Sequence, residues 1–214
     1  MIDWSWISRN ASSIGSLSVE HLVLSFAPVA LGLLIAVPLG IACVRWGVLY
    51  PPVWVLSVVL FAVPSVVLFI FLLPFTGISR LTAIIPLTVY TVSLLLRSVV
   101  DGLRSVDPAV RDFADALGFR GMHRLIGVDL PIAAPVILGG LRIATMSNIG
   151  MVAVASVIGI SSLGDLFVDG AQRYFPTPIV VGIVLVTALA AITDLGLVGL
   201  QRRMTPWLPR GGHA

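Results

Sequence analysis

Long runs without a charged residue alternate along this chain with a few short charged breaks, and that alternation predicts its elements. Leu22 to Val44 is an uncharged stretch of 23 residues, enough at about 1.5 Å per residue to cross a hydrocarbon layer of about 30 Å. No charge stands between Arg45 and Arg80. Within that stretch Tyr50-Pro51-Pro52 interrupts a helix early, leaving about 53–73 as a second span, and Pro74 and Gly77 mark the next turn. A third span covers about 78–98, its ends marked by Arg80 and Arg97, which snorkel toward opposite interfaces. The fourth covers about 132–160 with Arg142 in its first turns, and the fifth covers about 179–200, where Gln201-Arg202-Arg203 stops it. Residues 1–20 read as a surface lead-in without the basic start and apolar middle of a signal peptide, and Met204 to Ala214 as a short polar tail.

Composition supports this pattern. A hydrophobic fraction of 58 % against 11 % charged residues, with a mean hydropathy of +1.08, marks an integral membrane protein. The expected fold is an all-α polytopic membrane protein of about five transmembrane helices in a single domain, 1–214. The basicity comes from 13 Arg and no Lys, scattered rather than gathered into a nucleic-acid footprint. Cys43 lies alone in an apolar run, where packing is its role, and His21, His123 and His213 are isolated, so no metal site is expected.

One region breaks the apolar rule. Residues 101–131, between the third and fourth spans, carry Arg104, Arg111, Arg120 and Arg124 with Asp101, Asp107, Asp112, Asp115 and Asp129. Asp107 is placed to cap a helix that Pro108 opens and Gly118 closes, and a second short helix is expected over about 122–128. With this island on the cytoplasmic side, ten arginines lie inside and only Arg9, Arg80 and Arg173 outside, as the positive-inside rule requires. Trp4 and Trp6 then fall near the outer interface and Trp46, Trp54 and Trp207 near the inner one. The expected topology is N-terminus out and C-terminus in.

The island resembles the cytoplasmic coupling loop of ABC importer permeases. That pattern is Glu-Ala-Ala, three residues, Gly, nine residues, then Ile, any residue, Leu-Pro; here it reads Asp112-Phe113-Ala114, three residues, Gly118, nine residues, Val128-Asp129-Leu130-Pro131. Asp112 and Val128 are conservative departures, and Phe113 stands in place of Ala. Val63-Pro64-Ser65, Val106-Asp107-Pro108, Gly140-Leu141-Arg142 and Leu163-Gly164-Asp165 further resemble the glycine betaine, carnitine and choline permeases, over about residues 20–205. The resemblance implies Asp112, Phe113, Ala114, Asp115, Leu117, Gly118, Leu130 and Pro131 as the ATPase-coupling set. Pro131 would turn a displacement of the loop into a tilt of the fourth span. It also implies a cytoplasmic ATPase subunit that holds ATP and Mg, a second permease subunit of the same or a paralogous chain, and an extracytoplasmic solute-binding protein. The site would be the plasma membrane of a bacterium or archaeon. No cofactor is expected in this chain, which lacks a phosphate-cradling Gly-Lys-Ser/Thr loop and is not itself an enzyme.

The substrate path is less defined. Pro64 and Ser65 free backbone carbonyls in the second span, and Thr145, Ser147 and Asn148 form a polar patch in the fourth. Each group either lines the path or holds span to span; Tyr90 is a further candidate, with packing as its competing role. No aromatic cage for a quaternary ammonium group is present, which assigns high-affinity selection to the external binding protein. The loop 161–178, with Asp165, Asp169 and Arg173, is the expected docking surface for it, or a solvated connector. Asp194 is expected to pair with an arginine rather than serve a transport path, and the lack of charge at span centres argues against an ion-coupled carrier or channel. An importer for methionine, phosphonate or another small solute is the competing reading, and a membrane scaffold without transport activity the remaining one.

Overall fold

The computed structural model describes residues 2–207 and is helical nearly throughout. The first helix, α1 (Trp4–Arg45), runs unbroken for 42 residues, about 63 Å at helical rise and twice the thickness of a hydrocarbon layer. Residues 4–20, expected as a lead-in, are therefore its first turns. Asp3 caps it by accepting from the Trp6 N–H at 2.9 Å, and no proline precedes Pro28. Hydrogen bonds from the Ser5 hydroxyl and the Trp6 N–H hold the Asp3 carboxyl below its ordinary range.

The expected second span is broken. Here α2 (Tyr50–Ala62) and α3 (Ser65–Thr76) meet at an angle of 91°. Pro64 supplies the reason: it pushes Val63 out of the helical region, to ψ 129, and offers no N–H of its own. Pro51 and Pro52 open α2 instead of interrupting it, because the first turn needs no internal donor. The next helix, α4 (Arg80–Arg104), outlasts its expected end by two turns and carries Arg97 and Asp101 as an exposed ion pair at 3.5 Å.

The island holds α5 (Pro108–Ala116), closed at both ends as expected. Asp107 accepts from the Ala109 N–H at 2.8 Å. At the other end Gly118 adopts φ +90, and the Phe119 and Gly118 N–H groups return to the carbonyls of Ala114 and Asp115, the reciprocal pattern of a glycine-terminated helix. The second short helix, however, is not separate. One turn, α6 (Met122–Arg124), passes through a π-helical turn at Leu125–Asp129 straight into α7 (Leu130–Ala155). Pro131 has no N–H to give to the carbonyl four residues back, and the wider turn accommodates that lost bond.

After Gly159, at φ +84, the expected loop contains α8 (Asp165–Gln172), and α9 (Pro176–Met204) closes the fold. Among the described residues, four helices are long and apolar enough to cross a membrane, five if α2 and α3 form one span. Arg210 and His213 lie outside the described residues.

The core is the bundle of α1, α4 and α7. Gly32 and Gly40 of α1 face Thr91 and Val99 of α4, and Gly140 of α7 faces Ser98, each with no room for a Cβ. Small residues at crossings are how helices approach closely where no hydrophobic drive separates lipid from protein. Two polar side chains in this core make bonds between its helices: Asn148 donates to the Thr91 hydroxyl at 2.8 Å, and His21 Nε2 lies 3.0 Å from the Ile149 carbonyl.

Candidate functional site

The island is a rigid wedge stapled to the foot of α7. Asp129, in the π-helical turn, is buried and meets two guanidiniums: Arg111 of α5 at 3.0 Å and Arg124 of α6 at 3.5 Å, the latter an ionic contact too long for a hydrogen bond. Arg124 also bonds Asp115 at 2.6 Å, and Arg111 donates to the Leu103 carbonyl at the end of α4. Three segments are thereby held in one orientation by a network whose central carboxylate is out of water.

With Arg111 and Asp115 turned inward, α5 presents an apolar edge outward. Phe113 and Leu117 are 67 % and 63 % exposed, with Val110 one turn before Phe113, and Met122 and Ile126 in the turns that follow are exposed as well. The eight residues expected to form the coupling set thus divide. Asp112, Phe113, Leu117 and Gly118 face outward; Ala114 is buried, Asp115 is occupied by Arg124, and Leu130 and Pro131 are half-buried at the start of α7.

The groups named for a substrate path fall at two places, Tyr90 with the bend at Pro64 and Ser65, and Thr145 with Asn148 inside α7. Pro64 is exposed at the bend and Ser65 half-buried beside it. Tyr90, buried in α4, donates its hydroxyl to the Val63 carbonyl freed by that bend and stacks edge-on against Phe61 at 5.6 Å. Thr145 donates to the Leu141 carbonyl at 2.7 Å, and both Thr145 and Asn148 are enclosed between helices. Tyr90→Phe removes only the hydroxyl and is expected to cost about 1 kcal/mol, read as a lower thermal midpoint of the purified protein in detergent. An unchanged midpoint would mean that the Val63 carbonyl does not depend on it.

At the opposite end Asp165, Asp169 and Arg173 stand on one face of α8, with Asp169 and Arg173 paired at 2.7 Å. They line a cleft of about 400 Å³ together with Trp6, Asn10 and Ile14 from the first turns of α1. Sequence reasoning missed that α1 forms the other wall. It also missed the pair between Glu20 of α1 and Arg80 of α4, whose two bonds are 2.5 and 2.6 Å; the only signal was a lone Glu at the edge of an uncharged run. Asp194 is paired as expected, with Arg142.

A chain of this build, with several apolar helices, a capped polar wedge at one end and a charged helix at the other, is a multi-pass membrane protein. It belongs to the family described as "Binding-protein-dependent transport system inner membrane component", which matches residues 27–206. Among its relatives are the glycine betaine/carnitine/choline transport system permease protein OpuCB of Bacillus subtilis, 32 % identical over 94 % of this chain and 93 % of that one. The osmoprotectant import permease protein OsmW of Salmonella typhimurium is 34 % identical over 92 % and 94 %. Among solved structures, the MetNI methionine ABC transporter in an inward-facing conformation has a chain that superposes with a TM-score of 0.79, covering 87 % of this chain and 93 % of its own at 23 % identity. An amino acid ABC transporter gives 0.71, covering 97 % and 100 % at 18 %. These two are likenesses of fold.

Proposed function

We propose that this chain is the membrane-spanning permease subunit of an ATP-driven importer for quaternary ammonium osmoprotectants of the glycine betaine, choline or carnitine kind. Relatives over nearly its whole length carry those solutes in their names, and its island has the spacing of a coupling loop. The observation that carries the mechanism is the outward apolar edge of α5, Val110, Phe113 and Leu117, on a helix capped at both ends and held from behind by ions. Such an edge fits a groove on a second protein, with aromatic and aliphatic anchors at its centre.

In this reading the island is cytoplasmic and the N-terminus outside, following the arginine distribution. A separate ATPase subunit binds ATP and Mg, grips α5, and moves it as the nucleotide is bound and hydrolysed. A second permease subunit completes the pathway. An external binding protein delivers the solute against α8, where Asp165, Asp169 and Arg173 line the cleft beside α1.

The test is Phe113→Asp in the assembled complex. It is expected to reduce co-purification of the ATPase and uptake of radiolabelled betaine, choline or carnitine by about tenfold or more, the cost of losing a central anchor, while the chain remains in the membrane. Full uptake with the ATPase still bound would overturn the docking role of α5. Uptake of methionine in place of all three solutes would overturn the substrate class.

A further inference from the structure

Arg142 and Asp194 form a two-pronged ion pair, Nε to Oδ1 at 2.8 Å and Nη2 to Oδ2 at 2.9 Å. Both stand in helices long and apolar enough to cross a membrane. Eight residues separate Asp194 from Arg202, about 12 Å of helix, so if Arg202 marks the interface the pair lies within the hydrocarbon of the nearer leaflet. Charges there persist when they neutralise one another.

The last helix needs this tie. Only 6 % of the apolar stretch of α9 is buried within the chain, against 56 % for α4. At the α8 end, Ile179 and Gly182 of α9 pack closely on Gly170 and Phe167. Toward its other end the polar links all lead to α7: Asp194 to Arg142, and Gln201 Nε2 donating to the Pro135 carbonyl at 3.4 Å. Leu197 packs at the edge of the apolar cluster that holds Leu141 and Ala144 of α7 with Val29 and Ala36 of α1 and Leu95 of α4. Gly140 and Arg142 lie two residues apart, on opposite faces of α7: Gly140 abuts Ser98 of α4, and Arg142 holds α9. Meanwhile α1 and α4 are bound to each other by the Glu20–Arg80 pair and by the crossings at Gly32 and Gly40.

We propose that Arg142 and Asp194 are positioning residues for transport, which make α9 travel with α7 when the island is displaced. The line of force runs from α5 through Arg111 and Asp129 into the continuous helix of α7, and from Arg142 through Asp194 into α9. The island, α7 and this half of α9 move as one body, and α1, which the Asp129 network does not reach, is the reference against which they shift. This inference rests on the reading of the chain as an ATP-driven permease and adds which helices that drive moves.

The experiment uses the complete complex in lipid, with the wild type as reference. Asp194→Asn is expected to lower solute uptake about tenfold, within the usual range of coupling between sites, while ATP hydrolysis by the assembled complex stays near the wild-type rate. The exchange Arg142→Asp with Asp194→Arg is expected to restore most of the uptake. Unchanged uptake in Asp194→Asn, a parallel loss of uptake and hydrolysis, or an exchange that restores nothing would overturn the proposal. Should Asp194→Asn not fold, spin labels on Ile132→Cys and Leu200→Cys in the otherwise native chain read the motion directly. Their separation is expected to hold between nucleotide-free and ATP-bound states while that between Leu34→Cys and Leu200→Cys changes; the reverse pattern would overturn it. A wild type that imports no solute would overturn the functional reading and this inference together, whereas an importing wild type with an indifferent Asp194→Asn overturns the inference alone.

Discussion

Asp129→Asn is expected to reduce uptake about a hundredfold while the chain still inserts in the membrane. The carboxylate is buried and meets Arg111 at 3.0 Å and Arg124 at 3.5 Å, both guanidiniums being less than a third exposed. Taking one member from a buried ion cluster costs roughly 3–5 kcal/mol, because the charges left behind have no water to return to. Partial exposure of the two arginines places the expected value near the lower bound, about 3 kcal/mol, and each 1.4 kcal/mol is about tenfold in the population of the docked geometry. Arg111 would lose its hold on the foot of α7, and α5 could then move without moving the spans. Hydrolysis without uptake in the assembled complex is the signature to measure. The contrast is Asp101→Asn, which removes an exposed pair with Arg97 at 3.5 Å and is expected to change uptake by less than about twofold. Equal effects from the two substitutions would show that the wedge is not held from Asp129.

Gly164→Ala should be the most damaging single methyl in the chain. Gly164 precedes α8, and a Cβ there would collide with the Ala153 carbonyl oxygen and come within 2.6 Å of the Ser156 hydroxyl. The obstacle is the backbone of α7, which cannot rotate aside as a side chain would. The same spot holds a closed hydroxyl network, with the Gly164 N–H donating to Ser162 Oγ at 3.0 Å and Ser162 2.9 Å from Ser156, so α8 would have to lift and break it. Overpacking costs typically 1–3 kcal/mol, and the upper end is expected here, a fall of roughly 10 °C in thermal midpoint for a protein of this size. Gly139→Ala is the control, since nothing lies within 4 Å of a Cβ at that position. A midpoint unchanged by Gly164→Ala would mean that α8 is free to shift away from α7.

Much of this architecture was legible in the order of residues. The uncharged runs marked the four helices that, among the described residues, are long and apolar enough to cross a membrane, because a charge in hydrocarbon is costly wherever the neighbours are. Asp107-Pro108 and Gly118 marked both ends of α5, since capping is local chemistry between residues a few positions apart. Helix continuity was less legible. Prolines at 51 and 52 were expected to interrupt a helix, yet they open one; Pro131, expected at the start of the fourth span, is passed by a π-helical turn; and Pro64, expected to free carbonyls within the second span, bends the chain by 91°. A proline removes the same donor in each place, and what the neighbouring carbonyl finds in exchange differs: Tyr90 takes the Val63 carbonyl from another helix.

The candidate site divides along the same line. Spacing from Asp112 to Pro131 carries the resemblance to a coupling loop, but it does not say which of these residues look outward. Sequence by itself determined that this chain spans a membrane, carries a capped polar wedge between two spans, and shares its motif with importer permeases, because hydropathy and capping act over a few residues. Only the tertiary structure decided that Asp115 and Asp129 turn inward while Phe113 and Leu117 turn outward, that α1 walls the cleft of α8, and that Arg142 reaches Asp194 across 52 residues. Partners in an ion pair between helices are selected by the rotation of each helix about its axis, and that rotation is set by packing at Gly32, Gly40 and Gly140, which no local pattern encodes.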